Sequence, residues 1–120
     1  MSTGTSLLEI TTITIEDATR HTALASGELG KDVIIEEGSY YFDREKVDLG
    51  NLQITERLYT CPYKGVCNWI DLVDENGKVV KEVGWVYPTP KKDYEHIAGR
   101  IAFYPGVRRG TIAKLEKRRA

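Results

Sequence analysis

Residues 66–87 read VCNWIDLV-DENG-KVVKEVGWVY. Two runs rich in β-branched and aromatic residues flank Glu75-Asn76-Gly77-Lys78. Asn-Gly between two such runs is the strongest short hairpin signal, because both residues accept positive φ. With Asn76 and Gly77 as the two loop residues, cross-strand partners have numbers that sum to 153. Ile70 then faces Val83, Asn68 faces Trp85 and Val66 faces Tyr87. One face of the hairpin carries Val66, Asn68, Ile70, Leu72, Val83, Trp85 and Tyr87, and is apolar apart from Asn68. This predicts a core Trp85 whose indole N–H reaches the Asn68 side chain. On the other face Trp69 covers the bare backbone of Gly84. Asp71 lies opposite Glu82 there, which is unfavourable unless both are solvated. A longer loop would swap the faces of one strand.

Outward from this hairpin the same grammar continues. Leu8–Ile15 alternates Ile with Thr and reads as a strand. Around residues 16–31 a helical turn from Asp17 competes with a short strand at Thr22–Ala25. Val33–Glu36, Ser39–Phe42, Ile54–Thr60, Arg100–Tyr104 and Thr111–Leu115 all read as short strands. Helical turns are expected at Asp43–Val47, with Asp43 as cap, and at Lys91–Ala98, stopped by Gly99. Strands this short and numerous predict a mainly β domain with one or two brief helices. At 120 residues, without a repeat or linker, the chain fits one domain spanning 1–120. Residues 1–6 and 116–120 read as flexible ends.

Composition narrows the classes. The 17 basic and 18 acidic residues give a formal charge of −1. Arg108–Ala120 alone nets +5 and the remainder −6. That is a solvated basic tail, not a nucleic-acid-binding domain. Two cysteines, Cys61 and Cys67, are too few for a disulfide scaffold. The start is polar and no apolar run approaches the ~20 residues of a membrane span. A cytoplasmic protein without membrane contact is expected. His21 and His96 have no ligand-spaced partners, so no metal site and no cofactor are predicted.

Cys61-Pro62-Tyr63-Lys64-Gly65 is the most unusual segment. It admits two readings. Lys64 could meet an anion, or Cys61 could act as a nucleophile with His96 or Lys64 as base. Alternatively Cys61 is a small buried residue before a tight turn and Lys64 points to water. The aromatic residues Trp85, Tyr87 and Tyr104, with Trp69 and Tyr63 near in sequence, also admit two readings: core, or core that doubles as a pocket wall.

Three ordered motifs carry a resemblance: Cys61–Gly65, then Gly84-Trp85-Val86-Tyr87-Pro88-Thr89-Pro90, then Ile97-Ala98-Gly99 with Ala102-Phe103-Tyr104-Pro105. With Ser39–Phe42 and Arg44–Val47, they resemble the domain-of-unknown-function family 427 over about Ala23–Pro105. Asp43, Cys67 and Trp69-Ile70 depart from the pattern, where that family often has Pro, Ala and Tyr-Trp. The resemblance implies bent antiparallel sheets, similar to the β-tent folds of some zinc proteins. The paired cysteine knuckles of those proteins are absent here. A nucleotidyltransferase-like label is sometimes attached to the family. That chemistry needs Mg²⁺-holding carboxylates and a phosphate-binding element, and the sequence offers neither.

These readings lead to a small-ligand site lined by Tyr63, Lys64, Trp85, Tyr87 and Tyr104. Lys64 is expected to pair with an anionic group while the rings stack on a planar one. The rivals are an enzyme with Cys61 as nucleophile and a protein-interaction module that uses an exposed sheet edge.

Overall fold

The computed structural model describes residues 9–119. These residues are mainly strand, arranged in two antiparallel sheets, and the helical segments are short 3-10 turns. The strands are β1 (Glu9–Asp17), β2 (Ala23–Glu28), β3 (Val33–Glu36), β4 (Ser39–Phe42) and β5 (Leu52–Cys61), followed by β6 (Gly65–Val73), β7 (Val79–Val86), β8 (Ile101–Phe103), β9 (Val107–Arg108) and β10 (Thr111–Arg119). One sheet runs β2-β1-β10-β9 and the other β3-β4-β8-β7-β6-β5.

The period-2 pattern of β1 explains the packing. Ile13 and Ile15 point inward and are fully buried. They meet Leu24 and Ala25 of β2, and across the core Ile70, Leu72, Val83, Val86, Ile101 and Phe103 of the larger sheet. Burial of an Ile, Leu, Val or Phe side chain contributes about 1.5–3 kcal/mol, so this inter-sheet layer holds the two sheets together. Between residues 16 and 31 the strand prevails over the helical turn, because β2 gains β1 as a partner. Asp17 serves the intervening turn, where its Oδ1 accepts the N–H of Thr19 at 2.8 Å. Asp43 caps its 3-10 turn as expected, by accepting the Glu45 N–H. The segment expected as a helix at Lys91–Ala98 is a 3-10 helix over Lys92–Ile97.

The tail differs from expectation. Residues 116–119 are not a loose end but the outer half of β10, in register with Glu9–Thr12 of β1. Their side chains are exposed, so the backbone ladder and not burial holds them. Residues 1–6 lie outside the described residues.

The hairpin forms, but its register is not the predicted one. Asp74 Oδ1 accepts the N–H of Asn76 at 2.9 Å and of Lys78 at 2.8 Å. Gly77, at φ 82°, closes the turn by donating to the Asp74 carbonyl. The loop is therefore wider than Asn76-Gly77, and Val73 pairs with Val79. Further on, β7 bulges at Lys81–Val83, with Glu82 at φ 61°, and pairing resumes as Ile70 with Gly84 and Trp69 with Trp85. The wider loop shifts the sum from 153 to 152 and the bulge then shifts it to 154; the change of parity at the loop moves Trp85 and Tyr87 to the face opposite Ile70. Asp71 and Glu82 do not repel across the pair. Arg57 bridges them, and the buried Asp71 also accepts the Glu82 N–H at 3.0 Å.

Candidate functional site

The swapped face of β7 creates a second, outward-facing aromatic layer on the larger sheet. One cross-strand row reads Tyr41 (β4), Ala102 (β8), Trp85 (β7) and Trp69 (β6). Ala102 is the small member of the row, and over it the Trp85 indole reaches Tyr41. Its Nε1–H donates to Tyr41 Oη at 3.0 Å, and the rings meet edge-on at 6.1 Å. The indole acceptor is thus Tyr41, not Asn68, whose Nδ2 donates instead to the Thr55 carbonyl. Trp69 meets Trp85 edge-on at 6.2 Å, and Tyr104 approaches it to 4.8 Å. Edge-on pairs at these separations are favoured because the positive ring edge meets a negative face.

The next row places Tyr59 beside Cys67, which lines the same cleft as Tyr87. Burial pushes the Cys67 thiol above its ordinary pKa, so it stays protonated and inert. Burial likewise raises the Tyr87 phenol, with Cys67 adding to the effect. The Tyr41 phenol is raised by burial as well, against the opposing hydrogen bond from Trp85. Both phenols are neutral at physiological pH.

The 3-10 helix at Lys92–Ile97 covers one end of this layer with the fully buried Ile97. The rest borders a cleft of about 300 Å³, at the small end of the range for small-molecule sites. Among the described residues, three charged side chains line it: Glu36, Glu37 and Lys64. Glu36 and Glu37 arrive on the two-residue turn between β3 and β4, where Glu37 and Gly38 both have positive φ (50° and 82°) and Glu36 pairs with Ser39. Such a turn matches strand twist. Lys64 arrives on the turn between β5 and β6. That turn is clamped by Lys91, whose N–H donates to the Lys64 carbonyl at 2.8 Å and whose Nζ donates to the Pro62 carbonyl at 2.7 Å.

Of the residues expected in the site, Lys64, Trp85, Tyr87 and Tyr104 meet at this cleft. Tyr63 does not: it is 69% exposed and turned to solvent. Lys64 does not point to water, since it is only 7% exposed. Its ammonium pairs with Glu37 and lies 5.5 Å over the Tyr94 ring. Cys61 is half-buried at the end of β5, where its sulfur accepts the Lys64 N–H at 3.5 Å. Both candidate bases are held by carboxylates. His96 Nε2 sits 2.6 Å from Glu36 Oε1, and the Lys64 ammonium is taken by Glu37. Sequence reasoning missed Glu36, Glu37, Tyr41 and Tyr59. A Gly38 turn between two strand-like runs was the local signal for the first two.

No group of three or more His, Cys, Asp or Glu side chains that could hold a metal ion occurs among the described residues. No helix among them is long and apolar enough to cross a membrane. No curated protein matches the chain. Residues 32–114, which supply both charged turns and every aromatic strand of the cleft, match the family described as Domain of unknown function (DUF427), and the chain belongs to that family.

Proposed function

We propose that this domain binds a small planar molecule in the aromatic cleft. The observation that carries the reading is convergence. Trp69, Trp85, Tyr41 and Tyr104, from separate parts of the chain, border one cleft with a buried, fully paired lysine at its edge. A stacking group between such rings gains apolar burial without disturbing the inter-sheet core, which lies on the other face. Cys61 as nucleophile is the weaker reading, because its sulfur accepts the Lys64 backbone N–H and no hydrogen bond joins it to a titratable side chain among the described residues. Two free thiols fit a reducing compartment, which supports a cytoplasmic location.

A thermal-shift screen of metabolite mixtures tests the reading. A ligand at about 100 times its Kd stabilises the fold by about 2.7 kcal/mol. Hits are then repeated on Trp69→Leu, a residue at the cleft that is only part-buried and therefore dispensable for the core. The shift should vanish in that variant. Hits that stabilise both proteins equally bind elsewhere and refute the assignment.

A further inference from the structure

We propose that the cleft selects a planar ligand bearing a positive charge or several N–H donors, anchored by Glu36, and disfavours the anion that Lys64 suggests in the sequence. The inference rests on the ligand-binding reading above and names its ligand class.

The argument is a charge inventory of the cleft. Its charged lining is Glu36, Glu37 and Lys64. Lys64 and Glu37 cancel each other through their ion pair, and the ammonium also faces the Tyr94 ring. An anion would have to displace Glu37 from a nearly buried ammonium, leaving that carboxylate without its cation. What remains is Glu36, whose side chain is 21% exposed. One of its oxygens meets His96 Nε2, and His96 is itself half in solvent. The other oxygen makes no hydrogen bond among the described residues and is the acceptor offered to a ligand. An anion entering here meets a like charge, whereas a cation meets an opposite one. The rings of Tyr41, Trp69 and Trp85 act in the same direction, because ring faces are negative and attract cations within about 6 Å; the Tyr104 ring already carries the Arg108 guanidinium, 4.2 Å from its centroid. The neutral phenols of Tyr41 and Tyr87 add no charge of their own.

The chain supplies its own reporter. Trp69 and Trp85 are its only two tryptophans, and both line the cleft. Tryptophan fluorescence, excited selectively over the tyrosines, therefore reads this site. Benzamidine, benzamide and benzoate share one ring and one heavy-atom count and differ in charge: positive, neutral and negative. Ligands of this size in a well-formed site bind at about 1 mM. The titrations run at about pH 8, where a free carboxyl group is fully ionised, and parallel titrations of free N-acetyltryptophanamide measure non-specific quenching.

Benzamidine should bind about tenfold tighter than benzoate, with benzamide between them. Glu36→Gln should bring the benzamidine-to-benzoate ratio close to one. Lys64→Met should raise it by freeing Glu37. Benzoate as the tightest of the three, with its binding lost in Lys64→Met, overturns the inference and makes Lys64 an anion anchor; the cleft reading then stands. Equal binding of all three also overturns charge selection and leaves the cleft reading intact. If no probe quenches the protein more than it quenches N-acetyltryptophanamide, the cleft reading itself is refuted. The wild-type ordering alone decides the point, so a variant that fails to fold leaves the test intact.

Discussion

Replacing Gly84 by Ala should destabilise the protein severely, although the generic expectation for that substitution has the opposite sign. Glycine in a strand costs about 0.5–1 kcal/mol relative to alanine because the unfolded chain has more freedom to lose. Gly84 has no positive φ to justify it. The reason for glycine is space. A Cβ at this position would lie 2.5 Å from the Ala102 carbonyl oxygen, with the Phe103 ring at 3.4 Å beyond it. The oxygen belongs to the backbone of β8, so no rotamer change relieves the contact. β7 and β8 must part along the short ladder that pairs Gly84 with Phe103, Trp85 with Ala102 and Val86 with Ile101.

Overpacking of this kind costs about 1–3 kcal/mol. Each weakened ladder hydrogen bond adds about 0.5–1.5 kcal/mol. After the entropic gain is subtracted, Gly84→Ala should lose about 2–4 kcal/mol. At about 2.1 cal/mol/K per residue, a chain of 120 residues has an unfolding entropy of about 0.25 kcal/mol/K, which converts the loss to a Tm lower by about 8–16 °C. Calorimetry with matched urea melts measures both quantities. The same displacement moves Ala102 beneath Trp85, so tryptophan fluorescence should shift in the folded variant. A Gly84→Ala protein that melts at or above the wild-type temperature refutes the close approach of β8 and, with it, the row that positions Trp85.

Three further outcomes are expected. Trp85→Phe should cost about 1–3 kcal/mol by depriving Tyr41 Oη of its donor, and a double-mutant cycle with Tyr41→Phe should show coupling; additive losses would contradict the hydrogen bond. Burial raises the pKa of Asp71 and of Asp17, but hydrogen bonds from Arg57 and the Glu82 N–H, and from Thr19 and Arg20, outweigh it, so both carboxyls sit below their ordinary range. Their stabilisation is therefore full above about pH 4 and is lost as pH falls through the depressed values; urea melts across this window should be flatter for Asp71→Asn than for wild type, and a steeper dependence would show the sign to be wrong. Amide hydrogens of residues 116–119 that donate to β1 should exchange more slowly than those of an unstructured tail, and exchange at free-peptide rates would remove this part of β10.

The elements that sequence made legible are those dictated by local pattern. Val33–Glu36 and Ser39–Phe42 are bounded by Gly38 and by charged residues on either side, and the strands coincide with the predicted bounds. The existence of the hairpin was equally local. Its register was not, because two small features each outweigh the Asn-Gly preference. Asp74 takes both turn N–H groups and widens the loop, and Glu82 adopts positive φ in the bulge. Neither leaves a hydrophobic signature. At the site, Lys64, Trp85, Tyr87 and Tyr104 were legible as unusual polar-aromatic residues near Pro-shaped turns. Tyr41 was not, since it reaches Trp85 only through the strand order β4-β8-β7, across 44 positions of sequence. Glu37 was invisible for the same reason: its partnership with Lys64 joins turns of two separate hairpins.

The bulge links the fold to the site. Along β7, Val83 and Val86 enter the inter-sheet core while Trp85 and Tyr87 leave it. With the simple two-residue loop, Trp85 would have joined Ile70 inside, and the outer face would have carried Val86 and Gly84. A core built that way needs no Tyr41, no Tyr104 and no ion pair between turns. The observed register instead assigns the core to aliphatic residues, Phe42, Phe103 and Tyr40, and the outer layer to Tyr41, Trp85 and Tyr87. Trp85 is 9% exposed there, covered by other rings and not by a second sheet. The 3-10 helix seals one end with Ile97 and leaves the other as the cleft. Aromatic surface left open to solvent forgoes the apolar burial that full coverage would give. The hydroxyl-bearing rings and the paired charges satisfy one another through the Trp85–Tyr41 hydrogen bond and the Lys64–Glu37 pair, and the open end is the part that the proposed recognition of a planar molecule would use.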